Sequence, residues 1–257
     1  MKINIDQKQI IINNLLINYY CLIPKNSQKS LIFLHGWNCD SKIWFHLLEN
    51  FINNGLALYF VDLPGFGKSQ IPRDSFLIQD YSEIITDFIK KNKIHNPIGI
   101  GHSFGGAVLI KTCSRNNKMF NLIILVDSSG IRKKKLSNKI KKTIAIILRP
   151  IFLFSFMKSL RVKIYKKIGS EDYVTNIKLQ KTYLNVIKED LTHELNNIKN
   201  KTLIIWGSND KDTPIENAKL MNEKIKDSKL EVIVNTGHFP FIDQPESFVN
   251  LVLKFIK

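Results

Sequence analysis

Apolar residues fall in short blocks along this chain, and their period changes from block to block. Leu31–Leu34, Leu56–Val61, Ile98–Gly101, Leu122–Val126, Leu203–Trp206 and Glu231–Val234 are brief runs bounded by Gly, Pro, Asn, Asp or Ser, which predicts buried strands. Between them the spacing is helical. Ile43, Trp44, Leu47, Leu48 and Phe51 share one side of a helix that Ser41 would cap and that ends near Gly55. Ile84, Ile85, Phe88 and Ile89 mark a helix over about residues 78–91, and another runs from just after Ser103 to about Ser114. Nearer the start, Gln9–Ile12 and Leu15–Leu22 flank Asn13-Asn14 and predict a hairpin. Strands alternating with helices predict an α/β fold, a mainly parallel sheet with helices on both faces. The alternation stops at Gly130. From there to about Lys199 the pattern is helical, basic and patchily apolar, with no strand-like run, internal repeat or low-complexity linker.

The chemistry-bearing residues sit where predicted strands end. Gly101-His102-Ser103-Phe104-Gly105 follows one buried strand and opens a helix. G-x-S-x-G in that setting is a nucleophile elbow, a tight turn that presents a serine hydroxyl at the top of a sheet. Its glycines suit a place where two backbones close on each other. An ordinary turn serine is the alternative, and further segments weigh against it. His35-Gly36-Trp37 follows a strand, as does Trp206-Gly207-Ser208-Asn209-Asp210, and Gly237-His238-Phe239-Pro240 follows the last one. The order Ser103, Asp210, His238 is the chain order of one of the three well-known serine–acid–histidine folds. Open α/β sheets place their sites beyond the carboxyl ends of the strands. In such a site His238 takes the proton of Ser103 and Asp210 holds the imidazole. Asp212, two residues on, competes for the acid role.

These stretches, with Asp62-Leu63-Pro64-Gly65-Phe66-Gly67-Lys68-Ser69, resemble the α/β-hydrolase superfamily from the first strand to the last helix. Within it the chain looks like small microbial hydrolases, among them pimeloyl carrier-protein methyl ester esterases and the carbon–carbon bond hydrolases that act on meta-cleavage products. The resemblance implies an eight-stranded, mainly parallel sheet. Residues 1–129 and 200–257 would form the core, and 130–199 an inserted helical cap. It implies a serine hydrolase acting on a small carboxylic ester or thioester, with the backbone N–H groups of Trp37 and Phe104 as oxyanion hole. Some relatives place the acid at the position of Asp127. Carbon–carbon hydrolases carry Asn before the serine and Trp after the histidine, where this chain has His102 and Phe239. That leaves carbon–carbon cleavage as the second reading. A non-catalytic binding or membrane-surface protein on the same scaffold is the third.

Composition changes this picture little. The 257 residues are 44% hydrophobic, ordinary for a globular chain. The first residues hold no apolar signal segment and no apolar run is long enough to span a bilayer. Cys21, Cys39 and Cys113 are odd in number and widely spaced, which predicts reduced thiols and a cytoplasmic location. His46, His95 and His193 lack metal-ligand spacing, and Gly65-Phe66-Gly67 lacks the rest of a nucleotide fingerprint, so neither metal nor cofactor is expected. Net charge is +16, and residues 131–201 hold 18 Lys and Arg against 5 acidic residues. Lys, Asn and Ile dominate throughout, as in proteins of AT-rich genomes, and no nucleic-acid partner is expected. A basic cap, including Lys133, Lys134 and Lys135, could still attract an acyl carrier protein or an anionic membrane surface. Phe152, Phe154, Phe156 and Met157 would pack its core or grip an acyl chain.

Overall fold

The computed structural model describes residues 5–132 and 177–257. Lys133 to Lys135, Phe152 to Met157 and most of the expected cap lie outside them. Eight strands form one sheet in the order β1-β2-β4-β3-β5-β6-β7-β8: β1 (Asp6–Ile12), β2 (Leu15–Leu22), β3 (Ser30–Leu34), β4 (Ala57–Val61), β5 (Pro97–His102), β6 (Leu122–Val126), β7 (Lys201–Gly207) and β8 (Ser228–Ile233). β1 with β2, and β2 with β4, pair antiparallel; every other pair is parallel. The expected hairpin is present, and Asn13 and Asn14 both have positive φ (49° and 61°), the signature of a type I′ turn.

Strand periodicity divides the core into two layers. On β3, Ile32 and Leu34 face one side, and Leu31 and Phe33 the other; β6 and β7 alternate in the same way. The first layer is covered by α2 (Ile78–Lys91) and α3 (Phe104–Arg115). The second is covered by a 3₁₀ turn (Ser41–Leu47), α1 (Leu48–Ile52) and the last helix. The segment read as one helix from Ser41 is thus a 3₁₀ turn running into a short α-helix. Its cap is Asp40, which accepts from Lys42 N–H, and not Ser41. The Ser41 N–H is committed elsewhere, to buried Asp62, which also accepts from Lys68 N–H and the Asn18 amide. β8 also differs from expectation: it covers 228–233, and Val234 lies beyond it, exposed. An edge strand needs only one buried face, so an apolar run there does not mark its end.

Of the 130–199 segment, the described part holds a 3₁₀ turn (Ile177–Leu179), α4 (Gln180–Lys188) and a 3₁₀ turn (Leu195–Asn197). α4 rests on the loop after β4: Phe76 N–H donates to Thr182 Oγ1, and Leu179 abuts Gly65. Past it come α5 (Ile215–Lys224), α6 (Pro240–Asp243) and α7 (Pro245–Ile256). Past α4 the segment is tied back beside its start: Leu191 N–H donates to Gly130 O at 2.8 Å. It is clamped by Lys111 on α3. That side chain is 6% exposed; its Nζ meets Glu189 at 2.7 Å and also Glu194, which accepts from Ser114 Oγ. Removing one partner of such a buried cluster strands the other charges. Lys111→Ala should therefore lower unfolding free energy by about 3 kcal/mol. A urea titration reads this, and a loss under about 1 kcal/mol would mean that solvent already screens the cluster. Among the described residues no helix is long and apolar enough to cross a membrane.

Candidate active site

Because β3 to β8 run parallel, the loops after them gather at one edge of the sheet. There the structure places Trp37, Ser103, Asp127, Asp210 and His238.

Ser103 sits between β5 and α3 at φ 49°, ψ −110°, a conformation non-glycine residues rarely adopt. The turn is held on both sides: Ser103 N–H donates to Val126 O, and its own carbonyl accepts from Ser129 N–H. Its glycines work as the sequence predicts. A Cβ on Gly101 would fall 2.5 Å from Gly105 O, and one on Gly105 would fall 2.4 Å from Leu34 O. The helix therefore packs directly on the strands, and the serine is left half-buried at their tip. Phe104 is the first residue of α3, so its N–H has no carbonyl one turn back to bond. The Trp37 N–H has no backbone acceptor among the described residues. The Phe104 ring is core: buried, and edge-on to Tyr81 and Trp37.

The loop of Trp37 is shaped by His35. This fully buried imidazole accepts from Leu63 N–H at Nε2 and donates from Nδ1 to Gly36 O. Burial pushes its pKa down, so it stays neutral in this role. The His102 ring is buried among Trp44, Phe239 and Phe241. Its Nε2 donates to the carbonyl of His238 at 2.7 Å, anchoring that loop. Burial, then the neighbouring His238, push its pKa down to about 3.

Asp210 and His238 are brought together. His238 Nδ1 lies 2.8 Å from Asp210 Oδ2, which leaves Nε2 on the far side of the ring. The loops meet because Gly207 has no side chain: a Cβ there would fall 2.0 Å from Gly237 O. Asp210 also accepts from Thr213 Oγ1, Thr213 N–H and Asp212 N–H. Burial opposes its ionisation, but the hydrogen bonds from His238 and Thr213 and the histidine's charge outweigh this and hold it well below the usual carboxylate range. Asp212 is exposed and serves Asp210 through its amide. Thr213 escaped the sequence reading; the signal was an Asp with a Thr three residues on, an Asx-type turn. Tyr183 of α4 was also missed; its ring lies 5.3 Å from that of Trp37.

Asp127 directly follows β6, at φ 41°, and is wholly buried. Asp127, Asp210 and His238 each offer a ligand atom within 4.8 Å of the others, as a cation site would. Yet Nδ1 and Oδ2 stand at hydrogen-bond distance, and Gly207 N–H and Thr213 donate to the two carboxylates. Donors aimed at the oxygens suit a proton network better than a cation.

The sheet order, the strained serine turn and the acid–histidine pair at one edge define an α/β hydrolase. The chain matches the alpha/beta hydrolase family over residues 31–251 and belongs to it. Among curated proteins it is 28% identical to the AB hydrolase superfamily protein YisY of Bacillus subtilis, over 88% of this chain and 91% of that one. It is 29% identical to the pimeloyl-[acyl-carrier protein] methyl ester esterase of Wigglesworthia glossinidia brevipalpis, over 93% and 98%. Among solved structures, an esterase from Exiguobacterium antarcticum superposes with a TM-score of 0.76 at 21% identity, covering 96% of this chain and 97% of that one. A meta-cleavage product hydrolase from Pseudomonas fluorescens has a TM-score of 0.73 at 19% identity, covering 97% of each. At these identities the structural likeness establishes the fold.

Proposed function

We propose that this hydrolase is a serine esterase that cleaves a small carboxylic ester or thioester through an acyl-enzyme on Ser103. His238 Nε2 takes the hydroxyl proton as Oγ attacks the carbonyl carbon, and then gives it to the departing alcohol or thiol. Asp210 fixes the tautomer with the proton on Nδ1 and balances the imidazolium. The N–H groups of Trp37 and Phe104 receive the negative oxygen of the tetrahedral intermediate. Water, activated in turn by His238, releases the acid. The observation that carries this reading is the 2.8 Å His238–Asp210 contact at the sheet edge where the strained Ser103 turn also stands. Residues 130–199 would be a helical cap over the site, consistent with α4 lying on the loop after β4.

A series of p-nitrophenyl esters of graded chain length, assayed beside a meta-cleavage product, tests the reaction class. Faster turnover of the carbon–carbon substrate would replace the ester reading. Failure of a fluorophosphonate to label the protein, with no turnover of either, would favour a binding protein on a hydrolase scaffold.

The similarity to a carrier-protein esterase and the basic 131–201 segment together support an acyl carrier protein as the substrate's bearer, in a cytoplasmic setting. Attraction between such charged surfaces weakens as salt screens them. KM for a carrier-bound ester should then rise severalfold between about 50 and 500 mM salt, while KM for a neutral soluble ester hardly moves. Equal responses would leave the charge as a matter of composition alone.

A further inference from the structure

The serine mechanism leaves one buried acid of the site without a task. Asp127 Oδ1 accepts from Gly207 N–H at 2.9 Å. Oδ2 is also buried, and no described donor bonds it. A carboxylate oxygen sealed from water with no donor is costly. The charged or titratable groups facing it are Asp210 and His238, with Asp243 farther off. Two carboxyl groups this close in a dry pocket do not both ionise. Asp210 holds the negative charge, since four donors from Asp212, Thr213 and His238 converge on it. The proton then belongs on Asp127, where it turns the unbonded Oδ2 into a donor.

Building on the proposed triad, we infer that Asp127 is a positioning residue: a neutral carboxylic acid whose Oδ2–H donates to the Asp210 carboxylate and aims it at His238. Burial, with Asp210 adding to it and the Gly207 N–H opposing, raises its pKa from an ordinary 3.8 to about 10. A pKa raised on folding contributes stability that is complete below the unfolded value and drains away as pH climbs towards the folded one. The wild-type chain must take up a proton to fold at pH 8; an asparagine in this place need not. Its amide can donate as the acid does, while its carbonyl keeps the Gly207 bond.

The test compares Asp127→Asn and Asp127→Ala in the full chain. Asp127→Asn should keep kcat within about threefold of wild type. Asp127→Ala should lose roughly tenfold or more in kcat with KM little changed, and the acid limb of its pH–rate profile should move up, because Asp210 without its donor favours the imidazolium. The melting temperature of Asp127→Asn should match wild type near pH 4 and exceed it by several degrees at pH 8. An asparagine variant as slow as the alanine one, and less stable than wild type at pH 8, would show that an ionised Asp127 is required and overturn the inference. The melting profile needs no substrate, so it judges Asp127 even where Ser103→Ala proves fully active and the triad itself fails.

Discussion

Ser103→Ala is expected, on the proposed mechanism, to lower kcat on an ester substrate by at least about 10⁴-fold, roughly 5.5 kcal/mol of barrier, with the fold intact. The change removes one oxygen from a half-buried position, so packing is scarcely touched. The alanine must adopt the same φ of 49°, and the backbone bonds to Val126 and Ser129 do not depend on the hydroxyl. In the proposed triad nucleophile, base and acid act as a unit, so losing the first would strand the other two. Steady-state kinetics beside a melting curve would read both halves. After phosphonate treatment, mass spectrometry should find the adduct on Ser103 in the wild-type chain. An active alanine variant, or an adduct elsewhere, would remove Ser103 from the mechanism.

His238→Ala should cost nearly as much, and Asp210→Asn on the order of 10³- to 10⁴-fold, because asparagine favours the wrong imidazole tautomer. Asp212→Asn should cost less than about threefold: its side chain is exposed, and the amide it lends to Asp210 is unaltered. If Asp212→Asn proves the worse of the two, the acid has been misassigned. Dialysis against a chelator should leave the rate unchanged. Loss of activity there, restored by a divalent ion, would instead make Asp127, Asp210 and His238 a metal site.

Elements with a local signature were legible in the sequence. Asn13-Asn14 announces its turn because few other residues tolerate positive φ twice in succession. α2 spans the expected 78–91 because its apolar spacing is clean. The Ser103 turn was visible for a similar reason: its glycines stand where this backbone leaves no room for a Cβ. What could not be read depends on burial. Whether Asp40 or Ser41 caps a turn was decided by Asp62, which is 21 residues away from Ser41 and claims the latter's amide. Val234 looked like core because apolar runs carry no mark of where an edge strand stops pairing. Asp127 follows a strand as many acids do. Its lack of a donor follows only from what surrounds it.

The Leu191-to-Gly130 hydrogen bond bears on how such a protein could be re-engineered. That bond ties residue 191 back beside residue 130. Closing a loop between fixed, adjacent ends costs free energy that grows only with the logarithm of its length. A graft there can therefore vary in length at little entropic cost, provided it keeps α4, whose Leu179, Thr182 and Val186 are buried against the core, and leaves Glu189 and Glu194 in reach of Lys111. On the proposed cap reading, such a graft would alter which substrate is accepted without rewriting the strand ends that hold Ser103, Asp210 and His238.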